Sequence, residues 1–150
     1  MNKSAPAAES PGAARRAERL ASRRLQRELA TIAAMLRIYC HDHHHSVERG
    51  ADRLCGDCHE LLDYAQKRLA GCPYGPQKPT CTNCRIHCYG PMQREKTRVM
   101  MRYAGPRMMW RHPLLAIAHL IDGRRPAPPK PRAAVGASDP ARYAEHTAEP

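Results

Sequence analysis

Apolar residues first recur with a clear period near the start of the chain. Leu25, Leu29, Ile32, Leu36 and Tyr39 step by four, three, four and three, and so fall on one helix face, while Arg23, Arg27 and Arg37 lie off that stripe. The pattern predicts a helix that begins after about Arg15 and ends near Cys40, followed by the run His41, Asp42, His43, His44, His45. Ser46 to Leu54 reads as a polar loop around Gly50. Leu61, Leu62, Ala65 and Leu69 form a second stripe after Cys58, which Gly71 stops. A third helix is expected from Pro91 through Val99 and Tyr103 to Gly105-Pro106, and a fourth from Pro113 with Leu114, Ile117 and Ile121 on one side.

The fold class is therefore all-α: about four short helices over residues 20–122, with residues 1–19 and 123–150 read as disordered Ala/Pro-rich tails. Leu29, Ile32, Leu36, Leu61, Leu62, Tyr64, Ala65, Leu69 and Trp110 are the expected buried positions. With no Phe and one Trp in 150 residues, an all-protein core would be thin.

Seven cysteines change that picture. Small domains that bury too little apolar surface recruit disulfides or a metal, and the compartment decides which. Residues 1–30 show no apolar signal segment, and the longest apolar run, Leu114 to Ile121, is too short to span a membrane. A cytoplasmic location, with reduced thiols and bound metal ions, is the expectation, and an odd cysteine count argues the same way.

Cys55/Cys58 and Cys81/Cys84 are CxxC pairs, and Cys88 extends the second to C-x2-C-x3-C. Two residues between thiolates let both sulfurs face one ion. Cys58 opens the second helix and Cys72 follows its end. Eleven helical residues cover about 16 Å, while two ligands of one zinc lie within about 4 Å of each other. The cysteines thus divide. Cys72, Cys81, Cys84 and Cys88 form one set, suited to zinc or an iron–sulfur cluster. Cys40, Cys55 and Cys58 form the other, if the first two helices are antiparallel. That set lacks a fourth ligand, and among His43 to His45 the choice falls on His44, one helical turn after Cys40. Thiols can also serve as small buried apolar groups, and His112 and His119, on helical segments, read as packing or surface residues.

Cys55-Gly56-Asp57-Cys58-His59 also matches the attachment motif of c-type haem, which belongs to exported proteins. A thioredoxin-like role would need a strand–helix alternation that is missing. Nothing resembles a nucleophile with its base, a phosphate loop or paired catalytic carboxylates, so binding is expected rather than catalysis.

The formal charge of +11 raises nucleic acid as a partner. It divides into +4 over residues 1–30, +5 over 31–122 and +2 over 123–150, and metal-bound thiolates would offset most of the central share. Arg94, Arg98, Arg102, Arg107 and Arg111 recur at near-helical spacing, as a basic stripe or a solvated face. No pattern identifies a protein partner.

Several ordered motifs carry a resemblance. They are Tyr39-Cys40 with His43-His44, then Leu54-Cys55-x-x-Cys58-x-x-Leu61-Leu62-x-Tyr64-Ala65, Cys72-Pro73-Tyr74-Gly75, Lys78-Pro79-Thr80-Cys81, His87-Cys88-Tyr89, Gly105-Pro106-Arg107-Met108 and Trp110-Arg111-His112-Pro113. In these the chain resembles the nitrous oxide-stimulated promoter family of small bacterial proteins, over roughly residues 28–122. The resemblance implies a bacterial cytoplasmic protein linked to nitrosative stress. It carries over no catalytic residues.

Overall fold

A computed structural model describes residues 11–129 apart from 46, 47 and 87; the side chain of Thr82 is likewise outside the description. His87 of the resemblance and most of the two expected tails therefore lie outside the described residues. Within them the chain is all-helical: α1 (Pro11–Leu20), α2 (Arg23–His43), α3 (Gly56–Ala70), α4 (Pro91–Arg111) and α5 (Pro113–Gly123), with single 3-10 turns at Gly75–Gln77 and Cys81–Asn83 between α3 and α4.

The central element is α2. Ser22 caps it, its hydroxyl oxygen accepting from the Leu25 amide at 3.3 Å. The stripe read from the sequence faces inward at Leu25, Ile32 and Leu36, but Thr31 to Leu36 is buried on every side. The reason is its neighbours: α3, α4 and α5 all pack against it, and α1 lies across its start. Each large side chain removed from water there contributes about 1.5–3 kcal/mol. Ala65 and Leu69 bring α3 to this core, and Thr97, Met100, Ala104 and Met108 form the inner face of α4. Leu29, Leu61, Leu62 and Tyr64, expected inside, are half-buried at its margin.

Three expectations need correction. Residues 11–19 are helical where a tail was read. From Ala13 onward the segment is Ala, Arg, Glu and Leu, all good helix formers. Leu20 packs on the core, and Arg19 donates to the Cys72 carbonyl at 3.3 Å. Next, α4 does not stop at Gly105-Pro106 but runs on to Arg111. Pro106 and Arg102 lie on the exposed side. The carbonyl that loses its helical partner therefore faces water, while Ala104 and Met108 keep the helix seated. Finally, Trp110 is 88% exposed rather than buried. The extra turn of α4 carries it to the outer side, beside α5, whose Leu114, Ile117, Leu120 and Ile121 also point outward.

What holds α5 on α2 is charge. Asp122 receives hydrogen bonds from Arg24 at 3.0 Å and Arg27 at 2.8 Å. The loop before α4 is tied to the same face of α2. Lys78, almost wholly buried, pairs with Glu28, and Arg24 donates to the Lys78 carbonyl. Asn83 donates to the Gly123 carbonyl at 2.9 Å, and the Gly90 amide donates to the Tyr64 hydroxyl at 3.0 Å. Gly75, with φ +51, allows the backbone to reverse inside this loop.

Although burial works against its charged form, Asp122 is held below the usual carboxylate range by Arg27 and Arg24. A depressed carboxyl pKa adds stability above the unfolded value of about 4, and that stability is lost as pH falls through the folded value. Asp122→Asn is expected to lower stability by about 1–3 kcal/mol at neutral pH in urea denaturation. The gap to the parent chain should close in acid; a pH-independent gap would contradict this assignment. The single tryptophan should emit as a solvent-exposed indole in the native state and shift little on unfolding. A marked red shift in urea would place Trp110 inside.

Candidate metal centre

The last turn of α2 and the first turn of α3 meet, and between them lies a group of four donors. Cys40 and His44 come from the end of α2; Cys55 is the N-cap of α3 and Cys58 lies in its first turn. The connecting loop is folded to allow this. Gly50 donates to the Leu54 carbonyl at 2.9 Å, Arg53 takes a positive φ of 67°, and Leu54 turns fully inward. Asp52 accepts from the Leu54 amide at 3.2 Å. Arg49 bridges the carbonyls of Cys40 and His44, each at 3.5 Å.

The side chains converge closely. His44 Nδ1 lies 3.3 Å from Cys55 Sγ and 3.4 Å from Cys58 Sγ, and the Cys55 amide donates to Cys40 Sγ at 3.3 Å. All four donor atoms lie within 4.8 Å of one another. Ligands about 2.0–2.3 Å from a tetrahedral ion are separated by edges of about 3.5–3.8 Å, so the spacing and the three-sulfur, one-nitrogen set fit a metal ion. The three cysteines are buried and His44 is half-buried.

Electrostatics favour anionic sulfur at one position and oppose it at another. Burial raises the Cys55 thiol, but hydrogen bonds from the Cys58 amide and from the Cys58 and Cys40 thiols outweigh it and bring Cys55 below its ordinary value. Burial pushes Cys58 well up, and the neighbouring sulfurs of Cys55 and Cys40 add to the shift. Three thiols crowded together cannot all ionise without a cation among them, and a bound metal supplies that charge. The N-terminus of α3, directed at Cys55 and Cys58, adds a favourable partial charge.

The other histidines are engaged elsewhere. His43 stacks on Tyr39 with ring centroids 4.3 Å apart, His41 pairs with Asp42, and His45 is exposed. His59, last residue of the haem-like motif, contacts Asp52 at 2.6 Å and does not join the donor group. Asp52 and Arg49, which organise the loop, were not singled out from the sequence, because a polar loop offers no periodicity from which to read a role.

The second cysteine set is arranged differently. Cys72 follows the far end of α3, its amide bonded to the Leu69 carbonyl at 3.1 Å, so an unbroken helix of about 20 Å separates it from Cys58. Cys72 is buried, Cys84 and Cys88 are half-buried, and Cys81 is exposed. Cys84 donates to the Ile86 carbonyl at 3.3 Å, and Cys81 Sγ lies 3.7 Å from Lys78 Nζ. Burial pushes Cys88 up to about 11, reinforced by Cys81, Cys72 and Cys84. These sulfurs do not close as the first four do: among the described residues only the Cys40 group brings its donors within 4.8 Å. Cys81, Cys84 and Cys88 instead line a cavity of about 520 Å³ between the loop and α4.

The arginine stripe on α4 is largely used within the protein. Arg98 pairs with Glu95, Arg107 stacks 3.7 Å over the Tyr103 ring, and Arg111 lies 3.8 Å from Asp42; Arg94 and Arg102 line the cavity. No helix among the described residues is long and apolar enough to cross a membrane.

Fold and site together define a small all-helical, cysteine-rich protein with a Cys3His group able to hold a metal. Residues 23–132 match the family described as nitrous oxide-stimulated promoter, and the chain belongs to that family. It is similar to the uncharacterised protein YgbA of Escherichia coli (strain K12), 55% identical over 71 residues; the alignment spans 47% of this chain and 61% of that relative. No solved structure matches it.

Cys55→Ser removes one of the four donors, the sulfur that lies 3.3 Å from His44 Nδ1. The variant is expected to lose metal from this group and to melt about 10 °C lower, because metal binding at such a site is folding free energy. A variant melting with the parent chain in a thermal scan followed by circular dichroism would contradict the assignment.

Proposed function

We propose that this is a cytoplasmic metal-binding protein of the bacterial response to nitrosative stress, with zinc at Cys40, His44, Cys55 and Cys58 as the ion that closes the fold. The observation that carries the reading is the separation of His44 Nδ1 from two cysteine sulfurs, 3.3 and 3.4 Å, inside a buried four-donor group. Zinc suits three thiolates and an imidazole, needs no open coordination position in a structural role, and adds no redox chemistry of its own. Membership of the nitrous oxide-stimulated promoter family supports the link to stress. Metal-bound thiolates are nucleophilic, so they are groups that nitrogen oxides attack, and loss of the ion would loosen the contact between α2 and α3. The second cysteine set belongs to the same reading as a further metal-binding element.

A nucleic-acid-binding role, through the α4 arginines on a zinc-stabilised scaffold, is the competing reading. The internal partners of Arg98, Arg107 and Arg111 weigh against it.

Untagged protein should purify with about one zinc held by the first group. Zinc should leave as pH falls, because protons compete for the same sulfur and nitrogen atoms, and a chelator should lower the melting temperature. Protein that stays metal-free in excess zinc, with unchanged melting, would end this proposal. Steeply salt-dependent DNA or RNA binding would favour the competing one.

A further inference from the structure

The two cysteine sets respond differently to the same chemical demand. At the first, four donors already lie at the spacing of one tetrahedral ion. At the second, the sulfurs of Cys81, Cys84 and Cys88 are spread around an opening of about 520 Å³, far more than one ion can fill. A cuboidal cluster differs from a single ion in this respect. Its four thiolates sit at the outer corners, well apart, and iron and inorganic sulfide occupy the interior.

Four further observations bear on what the opening holds. The spacing Cys81-x2-Cys84-x3-Cys88, with Cys72 upstream, supplies the four thiolates that such a cluster requires. Cys72 does not line the opening but is buried at the start of the same loop, its carbonyl accepting from the Gly75 amide at 3.1 Å. The walls carry positive charge. Lys78 Nζ lies 3.7 Å from Cys81 Sγ as a hydrogen-bond donor, and Arg94 and Arg102 line the opening. Glu28, which also lines it, pairs with Lys78, so these two charges offset each other and the positive excess comes from the arginines. A thiolate-ligated cluster is anionic, and cations with hydrogen-bond donors near its sulfurs stabilise it. Finally, the loop is held by contacts that do not involve sulfur: Arg24 to the Lys78 carbonyl, Asn83 to the Gly123 carbonyl, and Gly90 to the Tyr64 hydroxyl. The opening is thus supported by protein alone.

We propose that Cys72, Cys81, Cys84 and Cys88 bind a four-iron, four-sulfide cluster in the opening between this loop and α4, while zinc is confined to the Cys40 group. The inference rests on the metal-binding reading above but can fail separately from it. The exposed edge at Cys81 leaves such a cluster open to small molecules from solvent.

The test uses the full chain, loaded with zinc and then incubated anaerobically with ferric iron, sulfide and excess thiol, two thiols giving one disulfide as they reduce two of every four ferric ions and leave the mixed-valence iron that such a cluster needs. The expected product is brown. It contains iron and sulfide in equal amounts, about four of each per chain, beside about one zinc. Cys84→Ser and Cys88→Ser should cut iron at least about fivefold while zinc content and helical circular dichroism stay unchanged, since the loop is anchored independently of these thiols. Cys55→Ser should lose zinc instead. About one zinc with no iron uptake, two zinc ions per chain with iron in excess, iron without sulfide, or a cluster retained by the Cys84 and Cys88 variants would each overturn this inference. Only a chain that holds no metal at the first group would overturn the earlier one as well.

Discussion

The meeting of the end of α2 with the start of α3 is the contact on which the rest of the architecture depends. Two helices joined by a polar loop have little apolar surface with which to fix their ends. Here the Cys55 amide reaches Cys40 Sγ, and His44 lies against Cys55 and Cys58. Once that corner is closed, the direction of α3 is set, and with it the position of Cys72 and of everything that follows. Crowded sulfurs are a poor way to join two helices on their own, because each ionised thiol opposes the next. A divalent cation turns the same crowding into attraction, so the chemistry of the corner and the stability of the fold are one matter.

Away from that corner, the core is supplemented by buried or half-buried charge. Glu28, Arg24 and Arg27 on α2 hold Lys78, its carbonyl, and Asp122. Removing one partner of such a pair costs more than the pair adds, because the other is left without compensation. The arrangement therefore specifies one docking of the loop and α5, where an aromatic-poor chain has few bulky side chains to do so.

Much of this was legible in the sequence, and the reasons are specific. The α2 stripe from Leu25 to Tyr39 and the α3 stripe from Leu61 to Leu69 located both helices, since amphipathic spacing reflects a one-sided core. The length of α3 separated Cys58 from Cys72, and its antiparallel approach to α2 singled out His44. Periodicity was silent where the structure depends on long-range partners. Asp122 gains its meaning from a residue 98 positions away and Lys78 from one 50 positions away, with no local signal. Trp110 misled because size favours burial on average, whereas position on a helix decides it. Pro106 misled because a proline is tolerated where the carbonyl it orphans can reach water.

The donor sets do not interleave: residues 40 to 58 complete the first, and the second begins only at Cys72. A chain emerging from the ribosome, N-terminus first, therefore exposes the whole of the first set while the sulfurs of the later set are still held inside the exit tunnel. Each capture also closes only a short stretch of chain, which keeps the entropic cost small. Order of synthesis would thereby become a means of sorting: an ion taken up by the early thiols would occupy them before the later ones emerge, and wrong pairings between the two sets would find no free partner.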